Sequence, residues 1–467
     1  MRQPDWPAAL DEAYAHALAH LTGLPRRPVG ARSTPAQLRA ALGGPVPEEP
    51  TPPKEVVATL AEAVDPGLVA TASGRFFGFV FGGATPAAVA ADWLTSVWDQ
   101  NAGLYATSPA ASVAEEVVAA WLLELLGLPA HASVGFVTGA QMANFTALAA
   151  ARHEVLRRAG WDVETGGLIG APPIRVLAGA DRHDTIDRAL RFLGIGTAAI
   201  TPIAVDDQGR MRADALARAL SSGGGPTIVC AQVGNLNTGA ADPVARICDL
   251  AHAAGAWVHI DGAFGLWAAV SPTLRPLLAG VERADSWATD AHKWLNVPYD
   301  SGLVICAHPA AHRASMGVRA AYLLHAEGGE RDALDHTPEF SRRARGFAVW
   351  AGLRALGRSG VTEIVERCCA MARRFAERLD AAEGVTVLND VVLNQVLVAF
   401  AGGDDHTRRV LDAVRRDGTC FLTGTTWQGQ AVMRVSVTNW STDESDVDAS
   451  VAAILRCAAA DRQPAGR

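Results

Sequence analysis

Short apolar runs alternate with amphipathic helical patterns through the middle of the chain, and that rhythm predicts the fold. SVGFVT (133–138) leads into a long alanine-rich helical stretch from about Gln141. IRVLAG (174–179) precedes the helical DTIDRALRFL, and TIVCAQV (227–233) precedes ARICDLAHAAG. WVHID (257–261) follows that helix at once, and DSWATD (285–290) and GLVICA (302–307) complete the series. Continuous apolar strands separated by helices predict an α/β domain with a mostly parallel sheet covered on both faces. Ligands then belong at the carboxyl ends of the strands. The first fifty or so residues read as helical and break at the proline-rich GGPVPEEPTPP (43–53). Beyond about residue 345 a long helical stretch (347–378) gives way to alternating strands, VVLNQVLVAF (391–400) and AVMRVSV (431–437). The pattern divides the chain into an N-terminal arm over 1–75, a large domain over 76–345 and a smaller α+β domain over 346–467.

A chain of 467 residues with 49% hydrophobic positions can bury a large core and is too long for one minimal domain. Its net charge of −8 comes without any block of like charges. That pattern predicts neither a nucleic-acid-binding face nor a membrane-binding basic helix. The N-terminus lacks the charged and apolar regions of a signal peptide, and no apolar run approaches the roughly 20 residues that span a bilayer. The seven cysteines form neither a CxxC nor a metal-ligand pattern. They fit the reduced, mostly buried thiols of a cytoplasmic protein.

Candidate chemistry gathers at the predicted strand ends. Lys293, in DAHKWLNVPYDSG (290–302), follows one of them; it is an ordinary surface lysine or a desolvated amine able to attack an aldehyde. Only Lys54 and Lys293 are lysines among 41 basic residues, which favours a site that needs a deprotonatable amine. Asp261 ends WVHID and would serve as a helix N-cap or hold a pyridinium nitrogen protonated; Gly262 and Ala263 leave room for a flat ring. Thr138, Gly139, Ala140 and Gln141 form a strand–turn–helix start of the kind that binds phosphate, without a GxGxxG or Walker pattern. His183 follows the 174–179 run and would stack on a ring or simply be solvated. In GNLNTGAADP (234–243), Asn235, Asn237 and Thr238 would bond a ring hydroxyl or a carboxylate, or make Asx turns.

Taken together, the order TGAQ, His183, HIDGA and His292–Lys293 resembles the group II pyridoxal-phosphate decarboxylases over about residues 76–440. SPAASVAEEVV (108–118) is similar to the segment that precedes the phosphate turn in that family. The resemblance implies the type I, aspartate-aminotransferase-like fold, pyridoxal 5'-phosphate as cofactor, and an L-amino acid as substrate. It also implies a homodimer in which the arm wraps the partner. Lys293 would carry the cofactor as a Schiff base, Asp261 would pair with the pyridine nitrogen, His183 would stack on the ring and Ala263 would lie beneath it. Gly139, Ala140, Gln141 and Asp290 would lie near the phosphate, with Asp290 acting through backbone or loop bonds. His292 would contact the phosphate or substrate region. The segment 318–346 resembles the family's catalytic loop, with Tyr322 delivering a proton to the substrate carbon after carbon dioxide leaves. Gly82, Gly83, Asn101 and Gly103 stand where members with aromatic substrates often carry bulk, which weighs against an aromatic substrate. Arg343, Arg345 and Arg434 are candidates for ion pairs or carboxylate contact. The competing readings are another reaction of the same cofactor (an oxidative aldehyde synthase, an aminotransferase or a carbon–carbon lyase), a nucleotide-binding protein, and a non-catalytic scaffold. The two nucleotide motifs are absent, and Lys293, Asp261, His183 and Tyr322 occur together, which disfavours the last two.

Overall fold

The apolar runs form a seven-stranded sheet in the computed structural model, which describes residues 5–318 and 330–462. Its strands are β1 (Ser133–Val137), β2 (Arg175–Gly179), β3 (Ile200–Ile203), β4 (Thr227–Gln232), β5 (Trp257–Asp261), β6 (Ser286–Asp290) and β7 (Gly302–Cys306). Their order is β1-β7-β6-β5-β4-β2-β3; β7 runs antiparallel to both neighbours and all other pairs are parallel. Every residue of β5, β6 and β7 is buried, so these strands read as unbroken apolar runs rather than as alternation. The helix Ala140–Arg158 lies across β5, β6 and β7.

A second sheet is antiparallel, in the order β10-β11-β9-β8. It comprises β8 (Val385–Val387), β9 (Gln395–Phe400), β10 (Thr423–Trp427) and β11 (Gln430–Ser436). The helix Gly403–Asp417 covers it, and Glu444–Arg462 packs on that helix. The long helix Gly346–Asp380 breaks at Gly357, whose φ of 62° suits glycine, and packs against Pro86–Trp98, Pro109–Leu126, β8 and β9. One continuous apolar cluster, including Phe77, Trp294, Phe375 and Val435, joins the surroundings of both sheets.

Prolines set several boundaries: Pro35, Pro53, Pro86 and Pro109 each open a helix, where the missing N–H costs nothing. The N-terminal helices Trp6–Gly23, Pro35–Leu42 and Pro53–Val64 bury none of their residues. Leu10, Tyr14, Leu18, Leu21, Val56 and Leu60 remain exposed on them. Among the described residues, no helix is long and apolar enough to cross a membrane.

Candidate active site

The reversed direction of β7 brings two distant turns together. Gly302 starts β7 in register with both Val137, the end of β1, and Asp290, the end of β6. The turn after β1 (Thr138–Gly139) therefore meets the turn after β6 (Asp290–Lys293), and a β-carbon on Gly302 would overlap the Gly139 backbone. Gly139 is extended and brings no side chain to cap the helix that begins at Ala140. The Asp290 carboxylate does so from the neighbouring strand: Oδ1 accepts the Ala140 N–H at 2.5 Å, and Oδ2 lies 3.1 Å from Lys293 Nζ.

The lysine turn is held from three directions. Trp294 is fully buried, and the Trp267 indole N–H donates to Asp290 O at 2.9 Å. Asn296, with φ of 55°, donates through Nδ2 to Trp294 O and Thr438 O, while its Oδ1 accepts from Gly83 N at 2.6 Å and Trp440 N at 3.0 Å. Gly82 lies against the carbonyls of His292 and Lys293, where no β-carbon fits. Gly103 is likewise closed off, by Phe340 O at 2.5 Å from where its β-carbon would be. These glycines answer to backbone approach, so their small size does not widen a pocket.

His292 accepts the Ser301 N–H on Nδ1 at 3.2 Å, and its ring lies 4.3 Å from that of Tyr299. Burial pushes its pKa down, and Nε2 faces Asp290 Oδ1 at 3.7 Å. Tyr299 meets Phe81 edge-on at 5.5 Å, and Phe81 stacks on Phe79 at 5.3 Å, so a row of aromatic rings leads away from the lysine turn. Burial, with the Asp290 charge adding to it, pushes the Tyr299 phenol above its ordinary value.

Asp261 sits at the end of β5, beside Ala288 of β6 in register. Its Oδ1 accepts the Ala263 N–H at 3.2 Å; its Oδ2 accepts from Asn144 Nδ2 at 3.1 Å and from the Thr185 hydroxyl at 3.5 Å. Ala263 in turn accepts the Asp290 N–H at 2.8 Å, which joins the two strand ends. His183 is the N-cap of Asp184–Phe192: Nδ1 accepts the Thr185 N–H at 3.2 Å and faces the Thr185 hydroxyl at 3.0 Å. Gln141 donates to Thr185 O at 3.3 Å. Thr185 thus links His183, Asp261 and the helix that begins at Ala140.

Asn235 and Thr238 turn inward on their own loop. Asn235 Oδ1 accepts the N–H groups of Asn237 and Thr238, and the buried Thr238 hydroxyl donates to Gln208 O at 2.7 Å. Arg343 pairs with Asp92 at 2.8 Å and Arg345 with Asp300 at 2.7 Å. Arg434 is 5% exposed and donates to Asn237 Oδ1 at 3.4 Å; burial lowers its pKa to about 10. Tyr322 lies outside the described residues. The segment that follows it is anchored on β1, since Arg331 donates to Val134 O and Arg342 to Phe136 O. Sequence reasoning missed Asn144, Thr185, Ser286 and Tyr299. The HIDGA motif gave a partial signal by displaying His259, whose partners it could not show.

An amine, a carboxylate on the adjacent strand and a helix start with no capping side chain of its own fit an aldehyde cofactor that carries a phosphate and a basic ring nitrogen. The family model described as "Pyridoxal-dependent decarboxylase conserved domain" matches residues 35–401. Tryptophan decarboxylase 1 of Oryza sativa subsp. japonica is 30% identical over 448 residues, covering 88% of this chain and 85% of the relative. The aromatic-L-amino-acid decarboxylase of Bacillus atrophaeus is 27% identical over 436 residues, covering 90% and 88%. The crystal structure of Oryza sativa TDC with PLP and tryptamine superimposes with a TM-score of 0.92 at 25% identity, over 99% of each chain.

Proposed function

Because the chain belongs to the group II pyridoxal-dependent decarboxylases, a family of carboxy-lyases that act on amino acids, we propose that its decarboxylation runs where β5 and β6 end, with Lys293 and Asp261 as the two cofactor-directed groups. The observation that carries this assignment is that a lysine amine and a carboxylate, on neighbouring strands, end at one edge of the sheet beside the start of the helix Ala140–Arg158. When bound, pyridoxal 5'-phosphate supplies the electron sink for the pair left behind as carbon dioxide departs.

The chain's own groups supply binding, orientation and protons. Lys293 holds the cofactor and gives it up to the substrate amine. Asp261, held by Asn144 and the Ala263 N–H, would pair with the ring nitrogen. His183, fixed by Thr185, packs on one ring face, and Ala263 leaves space on the other. Gly139, Ala140 and Gln141 receive the phosphate at the helix start; Asp290 shapes that turn through the Ala140 N–H, and His292 borders it. Asn235 and Thr238 set the loop over β4 that faces the ring. Tyr322 donates the proton to the α-carbon.

The row Phe79, Phe81 and Tyr299 supports a substrate with an aromatic side chain, and two of the relatives are named for such substrates. The exposed apolar faces of the three N-terminal helices support a homodimer in which arm 1–75 covers the partner beside domains 76–345 and 346–467. The seven free cysteines, all but Cys457 buried, support a reducing cytoplasmic location. Borohydride reduction of the yellow protein tests the assignment. It should fix the cofactor on Lys293 in the wild type and on nothing in Lys293→Ala, while a panel led by L-tryptophan and L-phenylalanine releases carbon dioxide and amine in equal amounts. Fixation on another residue, or hydrogen peroxide formed with carbon dioxide, overturns it.

A further inference from the structure

Behind Asp261, away from the ring it is assigned to meet, runs a line of polar groups that the reaction as described does not use. Trp257, His259 and Ser286 lie on β5 and β6, and Asn144 lies on the helix that crosses them. All four are fully buried. The contacts are Trp257 Nε1 to Ser286 Oγ at 2.9 Å, Ser286 Oγ to His259 Nδ1 at 2.9 Å, His259 Nε2 to Asn144 Oδ1 at 2.9 Å, and Asn144 Nδ2 to Asp261 Oδ2 at 3.1 Å.

Hydrogen-bond chemistry gives this line one direction. An ionised carboxylate only accepts, so Asn144 must turn its amide nitrogen to Asp261 and its oxygen to His259. His259 Nε2 must then carry a proton. Burial brings the His259 pKa down to about 4, so at neutral pH the imidazole is uncharged and Nδ1 has none. Nδ1 therefore accepts, and the Ser286 hydroxyl is the donor that faces it. An indole N–H only donates, so Trp257 takes one of the two acceptor sites of Ser286, which agrees with the hydroxyl proton pointing to His259. The direction is set from the Asp261 end.

We propose that Trp257, Ser286, His259 and Asn144 form a directed hydrogen-bond chain that positions Asp261 opposite the cofactor's ring nitrogen. They are positioning residues, since none faces the ring. The chain gives the fully buried His259 and Asn144 a hydrogen-bond partner at each end. A neutral imidazole delivers a donor toward the carboxylate without placing a second cation beside the pyridinium, which a charged side chain there would do. The proposal rests on the assignment of Asp261 above.

The test has a readout that does not depend on turnover. In holoenzyme labelled with ¹⁵N-histidine at pH 7.5, His259 (identified by its loss in His259→Gln) should show the Nε2–H tautomer. Ser286→Ala and Ser286→Thr should both retain it, because Asn144 Oδ1 still takes the Nε2 proton, while Asn144→Leu should weaken it. With cofactor labelled at the ring nitrogen, Asn144→Leu should move the ¹⁵N resonance toward the unprotonated pyridine, lower kcat at least tenfold and leave KM within twofold. Finding His259 as the Nδ1–H tautomer or charged at pH 7.5 overturns the proposal. So does an unshifted ring resonance in Asn144→Leu when Asp261→Asn shifts it. An unshifted resonance in Asp261→Asn overturns the assignment of Asp261 itself, and the proposal with it. The tautomer is read in the wild type, so the test needs only His259→Gln to fold.

Discussion

Replacing Gly82 with alanine should damage cofactor binding although Gly82 bears no functional group. The new methyl carbon would sit 2.8 Å from the carbonyl oxygen of His292 and closer still to that of Lys293. Neither neighbour is the free end of a side chain. Both are backbone in a turn whose other contacts, Asn296 to Thr438 O and Trp294 in the core, resist movement. Ordinary contact begins at 3.4 Å and Lys293 O lies at 2.0 Å, so the two segments must part by roughly 1.4 Å. Overpacking of this kind costs about 1–3 kcal/mol, and a displacement of about 1 Å at a reacting group can cost on the order of a hundredfold in rate. Equilibrium titration with pyridoxal 5'-phosphate, followed by the visible band, should give a dissociation constant at least tenfold weaker than wild type. Gly83→Ala is the comparison, because the atoms nearest its methyl would be those of the Asn439 side chain, at 2.8 Å, rather than backbone. It should be the milder change. Wild-type cofactor affinity in Gly82→Ala would refute the argument that the N-terminal segment braces the lysine turn.

Three further outcomes are expected. Arg342→Met removes the cation paired with buried Glu115 at 2.7 Å; it should cost about 3–5 kcal/mol in urea unfolding, much of it restored by adding Glu115→Gln, and a loss below ~1 kcal/mol contradicts this. Tyr322→Phe should release carbon dioxide while amine formation slows at least tenfold or gives way to other products, and full amine yield removes Tyr322 from the proposed protonation. Acid should destabilise the fold above the range where carboxylates titrate. Burial lowers His259 to about 4 and His312 to about 3, so between 6.5 and those values the unfolded chain binds protons that the folded chain refuses. Each contributes about 1.4 kcal/mol of lost stability per pH unit as pH falls. Buried Asp242, raised to about 6, opposes them with one group between 3.8 and about 6. The two histidines outweigh it, so the urea midpoint should fall from pH 7 to pH 5, less steeply in His312→Gln; a flat or rising midpoint would show that these imidazoles are not held neutral.

The strands that carry the site were legible because burial on both faces leaves no ambiguity of period. WVHID coincides with β5, and the runs around β1, β2, β4, β6 and β7 fall within a residue or so of the observed ends. Two of the edge strands were not legible. β3 (ITPI) contains Pro202, has two exposed residues and pairs on one side only, so neither apolar run nor alternation marks it. β10 (TGTTW) is equally polar and equally at an edge. The opposite error occurs at 391–400, where an apolar run suggests a single strand. β9 begins only at Gln395, and Leu393 and Asn394 are buried in a loop because Asn394 donates to Val437 O at 2.8 Å. An apolar run reports burial, and burial does not require a ladder partner.

The site was legible where one residue at a strand end carries the chemistry, as with Lys293 and Asp261, and illegible where a residue acts through a distant partner. Asn144 stands in an alanine-rich helix, and nothing in its neighbours signals that both ends of its amide are used in the core. Gly82 and Gly103 show the same limit from the other side. An absent side chain is visible in the sequence, but its cause is not. The space a β-carbon would need can be empty, which would widen a pocket, or filled by another segment's backbone. Here it is filled, by the His292 and Lys293 carbonyls at Gly82 and by Phe340 O at Gly103. The doubt about an aromatic substrate rested partly on reading those positions as empty. With that support gone, the ring faces of Phe79, Phe81 and Tyr299 weigh more, because they are side chains placed beside the lysine turn rather than side chains missing from it.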